Sequence, residues 1–185
     1  MKSIKLKQVL NESSLSRVWQ HFNNPEITIV IFTAFRDGVE YEISMKKNKS
    51  FAATLKNNKF GYFYVNGYFP ENEGTDEEVQ VKEDSIFAIA RKNRGNDLIA
   101  LCHKLANSAN QDSIIVKETS GEIYFLKASG SKDKLSKGTM SAGKLGKYYT
   151  QLRNKKVSNT FVFEGITDGK GFFQRYREHL MEAKK

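Results

Sequence analysis

The sequence is short of cysteine, proline and long apolar runs, and each shortage excludes something. One cysteine, Cys102, in 185 residues allows no intrachain disulfide and no cysteine-based zinc site. Two prolines argue against modules strung on proline-rich linkers. The most apolar run, Ile27 to Phe35, is broken by threonines and falls far short of the roughly 20 residues that cross a bilayer as a helix. The first ten residues mix lysines with isolated apolar residues and lack the continuous apolar stretch of a secretion signal. These features suit a reducing compartment, so the expected location is the cytoplasm.

Recognisable catalytic patterns are also missing. His21, His103 and His179 fall one on each of three predicted helices, none in an HxxxH or HExxH pair, so no metal site is assigned. Cys102 adjoins His103, but neighbours on a helix diverge by about 100°, so adjacency alone makes no Cys–His dyad. Gly138 to Lys144 reaches GxxxxGK, yet Leu145 stands where a P-loop needs the hydroxyl that holds magnesium. No catalytic residue, metal or cofactor is therefore assigned.

What the chain does have is enough apolar residues for a core, 39%, and periodic segments to build it. Leu15, Val18, Trp19 and Phe22 make one face of a helix over 14–23. Ile27 to Arg36 reads as a strand, Asp37-Gly38 as a turn, and Val39 to Ser44 as a return strand. A helix over 50–58, a strand over 60–69, a strand over 79–90, a helix over 96–107 and a hairpin of 112–118 with 122–126 follow. Two helices separated by strand pairs predict an α+β fold: a mixed or antiparallel sheet with helices packed mainly on one face, resembling a split βαβ arrangement, plus a basic C-terminal extension ending in a helix over 171–183. The expected organisation is a core domain over 1–126, a basic Lys/Gly/Ser-rich segment over 127–156 whose part over 127–146 reads as a solvated loop, and a C-terminal strand and helix over 157–185 docking on the core.

The net charge of +9 is regional. Residues 127–156 hold nine Lys/Arg against Asp133 alone, while residues 1–126 are neutral. Lys132, Lys134, Lys137, Lys144, Lys147, Arg153, Lys155 and Lys156, with Tyr148 and Tyr149 among them, form the candidate binding surface. Lysines displace counterions from a phosphate backbone and tyrosines stack on bases. An acidic protein partner would explain the same charge, and the scarcity of arginine argues against base-specific contacts.

Two further features carry weaker chemistry. Glu77, Glu78, Glu83 and Asp84 cluster near one turn, and Glu83 with Asp84, Glu118 or Glu122 would suit a metal-dependent nuclease if they converged; acids that keep a strand edge soluble are commoner. The aromatic strand 60–69 lacks the RNP1 pattern of an RNA platform and reads as core.

Thr33-Ala34-Phe35, the helix around Ala52 to Asn58, Gly61-Tyr62, Val65-Asn66-Gly67-Tyr68, Glu83-Asp84-Ser85-Ile86-Phe87 and Asn110-Gln111-Asp112-Ser113-Ile114 together resemble small phage and bacterial proteins of the DUF3293 type, over residues 27–126. The resemblance implies a phage context, with the host-cell cytoplasm or a virion as the location, and assigns no catalytic residues. Glu83, Ser85, Gln111 and Ser113 would sit near strand starts. The expected function is a phage-type accessory binding protein, not an enzyme, that engages nucleic acid or an acidic host or virion protein. The alternatives are a metal-dependent nucleic-acid-processing enzyme and a structural virion component.

Overall fold

β-branched and aromatic residues crowd two segments, ITIVIF and DSIFAIA, and both become central strands in the computed structural model. It describes residues 15–36, 38–71, 76, 79–136, 139–142, 149–152 and 160–164. In chain order the elements are α1 (Leu15–Asn23), β1 (Ile27–Phe32), α2 (Tyr41–Asn57), β2 (Gly61–Glu71), β3 (Val79–Arg91), α3 (Gly95–Ser108), β4 (Ser113–Lys117), β5 (Ile123–Lys127), β6 (Lys132–Ser136), β7 (Thr139–Ala142), β8 (Tyr149–Leu152) and β9 (Thr160–Glu164).

The strands form one sheet in the order β6-β5-β4-β1-β3-β2-β8-β9-β7, with every neighbouring pair antiparallel. β3 lies between β1 and β2, and β1 lies between β3 and β4. The segments β1-α2-β2 and β3-α3-β4 are therefore two interlocked split βαβ units, the ferredoxin-like arrangement. The fold is α+β, as the pattern of elements predicts.

Alternation along β3 fills both faces. Ile86, Ala88 and Ala90 point to the side covered by α2 and α3, where Phe51, Ala52, Leu55, Leu98, Cys102 and Ala106 meet them. Phe87 and Ile89 point to the other side, against Val18 and Phe22 of α1 and Phe125 of β5. Two of the three described helices thus share one face, and α1 has the other. The outermost strands, β6 and β7, are separated by only two residues. Ser136 and Thr139 can be at most about 11 Å apart, so the sheet curls until its edges approach each other, with α1 against its inner face and beside β7.

Two segments differ from the sequence reading. Val39 to Ser44 is no strand: α2 begins at Tyr41 and runs 17 residues. Val39, Tyr41 and Ile43 alternate as a strand would, but all three are exposed around the start of a helix. Part of the stretch expected as a solvated loop is sheet, because β6 and β7 lie in it. A tight turn closed by Gly130, at φ 87°, leads from β5 into β6. The helix expected over 171–183 lies outside the described residues.

Candidate functional site

β1 stops at Phe32, paired with Ile86, while β3 runs on in that direction past Asp84 to Val79. The Asp84 carbonyl has no strand to receive it there, and two side chains take the place of the missing ladder. Thr33 Oγ1 donates to it at 2.8 Å, and Asn48 Nδ2 of α2 donates at 2.8 Å. Asn48 Oδ1 accepts the Ala34 N–H at 2.8 Å, and Thr33 Oγ1 accepts the Phe35 N–H at 3.0 Å. Gln111 Nε2 donates to the Phe35 carbonyl at 2.6 Å. One knot therefore fixes the end of β1, the middle of α2 and the turn after α3.

The Asp84 carboxylate sits inside that knot, 2% exposed. Tyr41 donates its hydroxyl to Asp84 Oδ2 at 2.9 Å, although its ring is 58% exposed and packs on Phe35 with centroids 5.2 Å apart. A surface aromatic pair thus lies directly over a buried acid. Asn66 pairs with Asp84 across β2 and β3 and shares its face. Ser44 lies one helical turn from both Tyr41 and Asn48 on α2. Three buried oxygens around this place, Asp84 Oδ1, Asn66 Oδ1 and Ser44 Oγ, have no hydrogen-bond partner. Buried polar atoms are nearly always satisfied, so the free oxygen of this carboxylate and the two orphan oxygens near it are acceptors that the described residues leave open.

Of the residues singled out from sequence, Lys132 is committed elsewhere. Its Nζ lies 3.0 Å from Glu118 Oε1 and 4.2 Å from the Tyr124 ring centroid. The Tyr124 hydroxyl donates to the same carboxylate at 2.6 Å. Burial first, then this bond, pushes the Tyr124 hydroxyl up to about 12, while the bond from Tyr124 holds the Glu118 carboxyl below its ordinary range. Lys134 and Tyr149 are placed by backbone alone, in β6 opposite Tyr124 and in β8 opposite Tyr68. Lys137, Lys144, Lys147, Tyr148, Arg153, Lys155 and Lys156 lie outside the described residues.

Glu83 and Asp84 do not act as a pair, because successive strand residues face opposite sides of the sheet. Glu83 turns away from α2, opposite Gly67. Glu118 and Glu122 lie at the β4–β5 turn, at the other end of the sheet from Asp84. Among the described residues no three His, Cys, Asp or Glu side chains gather to hold a metal. Cys102 is fully buried under α3, and burial pushes its thiol pKa up. His103 Nε2 meets the Lys127 carbonyl at 2.8 Å. Among the described residues no helix is long and apolar enough to cross a membrane. Tyr41, Ser44, Asn48 and Asn66 escaped the sequence reading. Ser44, Asn48, Phe51, Ala52 and Leu55 are the buried stripe of α2 at helical spacing, the pattern that would have found two of them.

Residues 30–173 match the family model described as the S-adenosylmethionine lyase family. Two solved structures are similar. One, a phage SAM lyase in complex with S-methyl-5′-thioadenosine, is 21% identical over 60% of this chain and 88% of its own, with a TM-score of 0.33. The other, a phage SAM lyase in the apo state, is 16% identical over 70% of this chain and 91% of its own, with a TM-score of 0.30. No curated protein matches. The family match overturns the DUF3293-type resemblance, whose short motifs fall just after β1, on the last turns of α2, within β2 and β3, and at the start of β4. It also overturns the accessory binding protein, the nuclease and the virion component, and with them the expectation of a chain that is not an enzyme, since the family is one of lyases.

Proposed function

The chain belongs to the S-adenosylmethionine lyase family, and from that premise we propose that it cleaves S-adenosylmethionine without water at the end of the sheet marked by Asp84. The sulfonium has three carbon–sulfur bonds, and the amino-acid arm carries an anionic nucleophile that reaches its own Cγ through a five-membered ring. When the substrate carboxylate closes on Cγ, a C–O bond forms and the S–Cγ bond breaks. The bonding pair stays on sulfur. The products are homoserine lactone and S-methyl-5′-thioadenosine, and no proton has to move.

This chemistry sets what the protein must supply. A positive sulfonium and a negative carboxylate cancel as the bond forms, so a water-poor site favours the transition state over the separated charges. A protein carboxylate held against the sulfonium would instead stabilise the ground state more than the transition state. Asp84 is therefore assigned to the α-ammonium, whose charge persists throughout. An ammonium carries three N–H donors, and the observation that supports the assignment is the set of three orphan acceptors, Asp84 Oδ1, Asn66 Oδ1 and Ser44 Oγ, in one place. The exposed Tyr41 ring and its neighbour Phe35 offer π faces to the sulfonium and the adenosyl group. S-adenosylmethionine is a cytoplasmic metabolite, so the cytoplasm is the place we assign to the enzyme.

The test is product analysis in ¹⁸O-water with a short quench. Both products should appear in equal amounts, with no label in the lactone. Asp84→Asn should lower kcat/KM by about 10- to 150-fold, the worth of a charged hydrogen bond of roughly 1.5–3 kcal/mol. Labelled homoserine as the first product, or an Asp84→Asn enzyme as efficient as the wild type, would remove this reading.

A further inference from the structure

At the other end of the β1–β3 pair, about 23 Å along β3 from Asp84 at the usual rise per residue, lies a cavity of about 420 Å³. Ile27, Ile89 and Phe60 contribute to its apolar wall, and Lys59, Arg91 and Arg94 supply cations; among the described residues no carboxylate lines it. Arg94 is held in place from three sides. It donates to the Asn58 carbonyl at 3.0 Å, meets Asp97 at 3.4 Å and lies 4.3 Å over the Phe60 ring centroid. Among the described residues, neither Lys59 nor Arg91 has an ion-pair partner. The acid nearest in sequence to Ile27, Glu26, is taken by Lys92 at 3.7 Å.

Lys59 carries a second, independent signal. It closes α2 in the left-handed conformation, at φ 61°, with its N–H on the Lys56 carbonyl and the Phe60 N–H on the Leu55 carbonyl. This is the Schellman closure, whose left-handed residue is ordinarily glycine or asparagine. The same closure ends α3 with Asn110 at φ 55°. At position 59 a glycine would make the same two backbone bonds with no steric penalty. The lysine side chain is thus kept where the backbone disfavours it, at the edge of a cavity short of negative charge.

We propose that this cavity binds a small phosphate-bearing ligand of nucleotide size, with Lys59, Arg91 and Arg94 on the phosphates and the Ile27, Ile89 and Phe60 wall against the apolar ring. It is separate from the lyase site. S-adenosylmethionine carries a net positive charge and S-methyl-5′-thioadenosine none, so neither suits a ring of cations.

Isothermal titration with ADP, inorganic pyrophosphate and adenosine tests the proposal. ADP and pyrophosphate should bind and weaken with added salt, and adenosine should bind at least about tenfold more weakly. Lys59→Gly should weaken ADP by about tenfold while raising Tm by about 2–4 °C, which separates lost binding from lost folding. Arg91→Ala should weaken ADP without a rise in Tm. Both variants should keep whatever turnover of S-adenosylmethionine the wild type has, and saturating S-adenosylmethionine should not displace ADP. The proposal is overturned by absence of ADP binding, by full ADP affinity in both variants, by displacement with S-adenosylmethionine, or by a duplex oligonucleotide binding where ADP does not. Failure of the lyase assay would leave these results untouched.

Discussion

Replacing Asn48 by alanine tests whether one side chain holds α2 to the two strands beside it. Asn48 is fully buried, donates to the Asp84 carbonyl and accepts from the Ala34 N–H, both at 2.8 Å. Alanine leaves the Ala34 N–H buried without a partner, at a cost of about 1–3 kcal/mol. The Asp84 carbonyl keeps the Thr33 hydroxyl, so the second lost bond costs only about 1 kcal/mol. Together these give about 3 kcal/mol, or a fall in Tm of about 6–12 °C for a chain of this size. Thr33→Val keeps the shape and removes the bonds to the Asp84 carbonyl and from the Phe35 N–H, for about 1–2 kcal/mol. The informative variant is the double one, in which the Asp84 carbonyl has lost both side-chain donors. It should be worse than the sum of the single variants by about 1 kcal/mol, because each single variant leaves the other donor in place. Urea unfolding followed by circular dichroism, at constant m, measures all three. Strict additivity, or an Asn48→Ala loss below about 1 kcal/mol, would refute the shared-acceptor account.

Three other outcomes follow from the same structure. Lys117 is 5% exposed with its ammonium on the Asn24 and Ile27 carbonyls at 2.8 and 3.1 Å, and burial holds its pKa below the ordinary 10.5. Between that lowered value and 10.5 the unfolded chain binds more protons than the folded one, so this residue's contribution to stability rises with pH across that window and is least favourable below it. Urea titrations of wild type and Lys117→Met should show the difference moving in favour of the wild type as pH climbs towards 10.5; a slope of the opposite sign contradicts it. Cys102 should resist a thiol reagent in the native protein and react fully in denaturant, since its buried thiol is held protonated and the thiolate is the nucleophile; fast native labelling would contradict its placement. A Cβ at Gly61 would lie 2.7 Å from Ile89 Cγ1 and 3.0 Å from Cδ1, so Gly61→Ala should cost about 1–3 kcal/mol, and adding Ile89→Ala should cost less than the two changes summed; full additivity in thermal melts would rule out that contact as the cause.

The central strands and α3 were legible because their side chains meet the same demand everywhere along their length. β1 and the Ile86–Ala90 part of β3 pack on both faces and read as nearly continuous apolar runs, and α3 places Leu98, Cys102 and Ala106 at helical spacing. The start of α2 was illegible for a specific reason. Val39, Tyr41 and Ile43 are exposed, so their alternation reflects no sheet face, and the polar residues that face inward there, Ser44 and Asn48, do not look like core. β6 was hidden by its own composition. KDKLS lies at the edge of the sheet, and charged residues there keep an unpaired edge from recruiting other strands, which makes an edge strand resemble a loop.

The site stayed hidden because of that single misplaced segment and because of what the proposed reaction demands. Glu83 and Asp84 were visible as acids near a strand start, and nothing in their order tells which of the two matters. The alternation of β3 settles it only once the neighbour on each face is known: Asp84 goes under α2, where Tyr41, Ser44 and Asn48 surround it, and Glu83 goes to the opposite side. With 39–44 taken as a strand, the helix turn that covers Asp84 did not exist, so the acid had no partners to make it conspicuous. The chemistry conceals itself further. A substrate that brings its own leaving group and its own nucleophile asks the enzyme for an anchor and a dry surface, and neither requires a histidine pair, an activated thiol or a metal. In the sequence such an enzyme looks like a binding protein, because binding is nearly all that its residues have to do.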